Sequence, residues 1–129
     1  MDDPVKLTPE DIAQYREQFS QNNQKEALYA LDIIEAMDGD VAKAATMLAP
    51  KYNIVVPKLV PNILQELAKK FRNTVCDEEF IDQVMGGLLS AAVASLCATG
   101  QIPEALATPI VIYLARKGIQ KWCNSDSEE

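Results

Sequence analysis

The sequence has no histidine. That removes the usual general base near neutral pH, the commonest zinc-binding nitrogen and the side chain that changes charge in the physiological range. Cysteine is scarce and odd in number: Cys76, Cys97 and Cys123 stand far apart, and no Cys-x-x-Cys pair exists. A zinc site would lack both its histidines and its spacing, so no bound metal is expected. A chain of 129 residues needs no disulfide to hold a core, and free thiols in a reducing cytoplasm are the expectation. Aromatic residues make up only 6%, while alanine and leucine dominate the apolar set, which inclines the chain to helix. Basic residues are outnumbered, 12 Lys and Arg against 19 Asp and Glu, for a net charge of −7. Nucleic-acid binders and anionic-lipid binders carry a basic footprint, so neither partner is expected. The opening Met1-Asp2-Asp3-Pro4 shows no export or transit signal, which makes the cytoplasm the expected location.

Catalytic motifs are missing as well. There is no Gly-rich phosphate loop, no Gly-x-Ser-x-Gly elbow and no Cys/His pair. Acid clusters occur at Asp38/Asp40 and at Asp77/Glu78/Glu79/Asp82, where helix starts call for caps and an acidic first turn. Asp38-Gly39-Asp40 could open a calcium loop, but the twelve-residue loop requires an acid near Ala49 and none is there. The chain is predicted not to be an enzyme and to take no cofactor.

Charge disappears over a long segment. From Val84 to Leu114 the single charged residue is Glu104, although 24% of the chain is charged. The run Val84–Ala98 falls short of the roughly 20 apolar residues a membrane span needs, and Pro109–Leu114 is shorter still. A buried fifth helix is therefore predicted. Its small side, Gly87, Ala91, Ala94 and Ala98, would let a neighbouring backbone approach closely. Ile81, Met85, Leu88, Leu89, Ala92 and Leu96 would fill the core.

The remaining elements follow from periodicity and caps. Thr8-Pro9-Glu10-Asp11 starts a helix to about Phe19, with Ile12, Tyr15 and Phe19 on its apolar stripe. Asn23 and Glu26 form a reciprocal cap for a second helix reaching Met37. Gly39 ends it and Asp40 caps a short third helix with Val41, Ala44, Ala45 and Leu48 buried. Pro50, Pro57 and Pro61 mark a connection with an apolar loop between them. A fourth helix runs from Lys58 or Pro61 to Arg72, a fifth spans 77–98, Pro103–Leu106 makes a single turn, and Thr108-Pro109 starts a sixth helix to about 122.

The segment Gly39-Asp40-Val41-Ala42-Lys43-Ala44-Ala45-Thr46-Met47-Leu48, with the helix before it, resembles two families. One is the ubiquitin-associated three-helix domain, for which residues 8–49 would be the whole unit. The ubiquitin-contacting Met-Gly-Phe/Tyr loop of that family is replaced here by Phe19-Ser20-Gln21-Asn22-Asn23, so the resemblance implies its packing and not its ligand. The other is the Fis-type helix-turn-helix, which implies a DNA-binding regulator with a recognition helix after Leu48. Pro50, Pro57 and Pro61 interrupt that stretch.

Together these observations predict one all-α domain: a compact bundle of five or six helices around a central, largely uncharged fifth helix. Its parts are a flexible arm 1–7, a three-helix unit 8–49, a Pro-rich connection 50–60, C-terminal helices 61–123 and a flexible tail 124–129. The expected function is non-enzymatic protein–protein interaction, as an adaptor, regulator or assembly module, including self-association. Lys58, Lys69, Lys70 and Arg72 are the expected interaction face. The alternatives are DNA binding through the Fis-like helix pair and this basic helix, and a membrane-active effector inserting the 84–115 hairpin.

Overall fold

A computed structural model describes residues 6–52 and 63–126 of the chain. Among these residues the protein is all-α, with one isolated antiparallel bridge, Lys6 to Asp40, and no strand. The described residues form nine α-helices: α1 (Pro9–Gln21), α2 (Lys25–Ala36), α3 (Val41–Leu48), α4 (Ile63–Lys70), α5 (Arg72–Val75), α6 (Glu78–Met85), α7 (Leu89–Cys97), α8 (Glu104–Lys117) and α9 (Ile119–Asp126). A one-turn 3-10 helix, Ala49–Tyr52, follows α3.

The N-terminal unit forms as its caps dictate. Thr8 and Asp11 make a reciprocal capping box at the start of α1, with Pro9 in the first turn. Asp40 caps α3 through the Lys43 amide, and Asp77 caps α6 through the Glu79 amide. Between α2 and α3 the chain turns through Asp38 at φ 57° and Gly39 at φ 85°. The Gly39 carbonyl accepts from the Leu7 amide at 2.9 Å. The arm is thus docked from Lys6 onward, and Leu7 is buried. A Cβ on Gly39 would stand 2.2 Å from the Leu7 carbonyl oxygen, so the approach requires glycine.

The centre of the bundle is α8, not the predicted fifth helix. Every residue from Ala105 to Leu114 is buried, which is the pattern of a helix enclosed on all sides. It packs against α2, α3, α4, α6, α7 and α9. Thr108-Pro109, predicted to start a helix, lies inside α8. Pro109 has no N–H to give to the preceding turn, but tertiary enclosure holds the helix through it. The Thr108 hydroxyl donates to the Glu104 carbonyl at 2.8 Å. Pro103–Leu106, predicted as an isolated turn, leads directly into this helix.

The predicted helix over 77–98 is broken. Gly86 and Gly87 separate α6 from α7, with Gly87 at φ 81°. The break changes the phase of everything after it. Met85 and Leu88, predicted to fill the core, are 61% and 58% exposed. Gly87, Ala94 and Ala98 are exposed and Ala91 is half-buried, so the small side of α7 faces outward. The predicted fourth helix is likewise two pieces, α4 and α5, and the sixth ends at Gly118, where α9 turns away.

Cys76 and Cys123 form a disulfide, with their Cα atoms 5.7 Å apart. This corrects the expectation of three free thiols: folding brings together two residues separated by 47 positions. Only Cys97 is free.

Candidate functional site

The site is built where the α1–α2 turn meets the α6–α7 turn. Leu88, which precedes α7, supplies no side-chain cap, so the first N–H groups of α7 need partners from elsewhere. Gln18 provides one. Its Oε1 accepts from the Ser90 amide at 2.7 Å, and its Nε2 donates to the Gly87 carbonyl at 3.3 Å. These two neighbours fix which end of the carboxamide is oxygen. Gln24, 8% exposed, is the second clamp: its Nε2 donates to the Ser90 carbonyl at 3.0 Å, and its Oε1 accepts from the Ser90 hydroxyl. The turn between the clamps ends α1 at Asn22, whose Nδ2 donates to the Gln18 carbonyl at 2.9 Å. Asn23 follows at φ 56°, a conformation asparagine tolerates better than most residues. The predicted Asn23–Glu26 cap does not form.

The N-terminus of α2 is instead capped across the molecule. Glu104 Oε2 accepts from the Ala27 amide at 2.9 Å. This is the one charge in the long neutral segment, and it sits at the positive end of the α2 dipole.

The surface that results is neutral. No residue from Gln18 to Gln24 or from Gln83 to Pro103 is charged. Gln18, Gln21, Asn22, Gln24, Leu88 and Ala94 are among the residues lining a cleft of about 530 Å³. Of the three large apolar side chains exposed among the described residues, Met47, Met85 and Leu88, Leu88 lines this cleft. Its chemistry is carboxamides, methyl groups and backbone. It offers hydrogen bonds of both senses and apolar contact.

Cys97, on α7, is half-buried. Burial pushes its thiol up to about 11, with the carboxylates of Glu104 and Glu26 adding to the effect. At neutral pH it is a thiol and a poor nucleophile.

The basic residues expected to form an interaction face are placed differently. Lys58 lies outside the described residues, as does the Pro-rich connection beyond Tyr52. Lys69 and Lys70 occupy the last turn of α4, where cations suit the negative helix end. Lys69 is 4.0 Å from Glu66. Arg72 opens α5, and its Nη2 donates to the Cys123 carbonyl at 3.1 Å. Arg72 therefore serves the α5–α9 contact.

Two other cations also link elements. Arg16 on α1 reaches Asp32 and Glu35 on α2. Arg116 on α8 pairs with Asp11 at 2.8 Å, with its guanidinium 5.9 Å from the centre of the Tyr15 ring. The Thr8 amide holds the Asp11 carboxyl below its ordinary range, and Arg116 reinforces this.

Among the described residues, no group of three or more Cys, Asp and Glu stands ready to hold a metal, and no helix is long and apolar enough to cross a membrane. Sequence reasoning missed Gln18, Gln24 and the outward face of α7. The available signal was the pair of glycines at 86 and 87, which interrupts an apolar run where a continuous helix has no use for them. Comparison with known protein families, curated proteins and solved structures finds no match to this chain.

Proposed function

We propose that the protein is a non-enzymatic protein–protein interaction module, and that it docks through the neutral face of α7 and the α1–α2 turn. The observation that carries this reading is the exposure of Leu88 on the wall of a charge-free cleft, on a molecule with a net charge of −7. A large apolar side chain exposed among uncharged neighbours favours contact with another surface.

The occupant we assign is a second copy of the chain. Two acidic molecules repel, and a face without charge lets them meet without desolvating an ion. Carboxamides carry a donor and an acceptor each, so Gln21 and Asn22 can pair with their own kind across a two-fold axis. Leu88 protrudes next to the cleft on the same patch, which is the arrangement a self-complementary contact uses.

Sedimentation velocity across a concentration series tests this. The wild type is expected to dimerise and Leu88→Asp to stay monomeric, while Met47→Asp, an exposed apolar site elsewhere, behaves as wild type. A wild type that remains monomeric at the highest concentrations, or a dimer indifferent to Leu88→Asp, contradicts the assignment.

A further inference from the structure

The structure assigns a second role to its C-terminal end, independent of the α7 face. We propose that the Cys76–Cys123 bond is a redox-operated latch: intact, it holds α9 on the bundle; reduced by a dithiol, it lets α9 detach while the rest of the fold stays.

Three features of α9 support this. It is short, eight residues, and a helix of that length is not stable alone in water. It leaves α8 through Gly118 at φ 89°, a backbone state open to glycine and resisted by other residues, so the joint is a ready hinge. Its seating is also incomplete. Ile119 and Cys123 are buried, but Trp122 is only partly so, and its indole Nε1 is enclosed with no hydrogen-bond partner. A buried donor left unpaired opposes docking. Interactions that favour docking include packing on α6 and α8, the Arg72–Cys123 hydrogen bond and the covalent link. Of these, the covalent link alone responds to redox state.

The two sulfurs differ in access. Cys123 is 8% exposed, whereas Cys76, at the end of α5, is only half-buried. A thiolate of the reductant attacks the Cys76 sulfur. The S–S bond breaks, and Cys123 departs as a thiolate that takes a proton from water. The second thiol of the reductant then displaces Cys76, which leaves as a thiol. Two electrons have passed to the protein, and the reductant ends as a disulfide. The link that opens is the one between α5 and α9; the contacts of α8 with α2, α3 and α7 are not part of it.

The chain contains its own reporter. Trp122 is the sole tryptophan, adjacent to Cys123. The test uses the full chain with Cys97→Ser, so that the bonded pair holds the only cysteines. Alkylation and mass measurement confirm the bond in the oxidised protein, and dithiothreitol then reduces it. Trp122 emission and hydrogen exchange are followed. On reduction, Trp122 emission is expected to change, and α9 amides to lose protection to within about 10-fold of random-coil rates. The amides of α2, α3 and α8 should keep theirs. Cys76→Ser combined with Cys123→Ser should show the same exchange pattern without reductant and ignore its addition. Unchanged α9 protection after reduction overturns the latch. So does simultaneous loss of protection throughout, which would make the bond a staple for the whole fold. Failure to find the bond in oxidised protein also overturns it.

Discussion

Replacing Glu104 by alanine removes a cap whose partner is 77 positions away. Ala27 is buried and the bond it makes is part-buried, so truncation leaves its amide short of a hydrogen-bond partner. Losing a side-chain cap costs about 1 kcal/mol, and leaving a buried donor unpaired raises the total to about 2 kcal/mol. With an unfolding entropy of about 2.1 cal/mol/K per residue, that lowers the melting temperature of this domain by roughly 7 °C. Glutamine at the same place keeps an oxygen acceptor and loses the charge facing the α2 dipole. Its cost is about 0.5–1 kcal/mol, or roughly 2–4 °C. A second readout is independent of stability. Glu104 is one of the groups that raise the Cys97 thiol, after burial itself. Glu104→Gln should therefore lower that pKa part of the way back and speed Cys97 alkylation between about pH 9 and 10. Calorimetry and thiol-reaction rates measure the two effects. The reasoning is refuted if Glu104→Ala shifts the melting temperature by less than 2 °C, or if Cys97 reactivity is the same with and without the carboxylate.

Further outcomes follow from single contacts. Gly39→Ala combines a positive φ with a Cβ 2.2 Å from the Leu7 carbonyl oxygen; urea denaturation should show a loss of about 3 kcal/mol, with amide exchange at Leu7 rising as the arm is pushed off. Asp11 titrates below its ordinary value in the folded protein, so its contribution is present above about pH 4 and is lost as pH falls through the lower folded value. The stability difference between the wild type and Asp11→Asn should be constant above about pH 5 and shrink below pH 4; a difference that grows on acidification contradicts the capping geometry.

The sequence was most legible where a signal and its partner lie within one turn. Thr8 with Asp11, Asp40 with Lys43 and Asp77 with Glu79 are such cases, and each cap forms where read. Long-range partners left no local trace. Glu104 caps α2, and Cys76 meets Cys123, because packing around α8 brings them together. The apolar run after residue 84 has the composition of one buried helix, because composition records hydrophobicity and not direction. The two glycines at 86 and 87 set the direction, and turned Leu88 and Ala94 outward. The same limit hid α8: a proline at 109 argues for a helix start locally, and enclosure on every side overrides it. Gln18 and Gln24 belong to no motif along the chain, and their use appears only when Ser90 is opposite them. Lys69 and Lys70 belonged to a basic cluster along the chain, and in the fold they complement a helix end.

The docking claim is tested most directly by cross-linking from the middle of the neutral face. Ala94→Cys in a Cys97→Ser background, treated with a short bis-maleimide, should give a covalent dimer at concentrations where Met47→Cys in the same background gives none. No dimer from position 94, or equal yields from 94 and 47, would contradict a contact centred on α7.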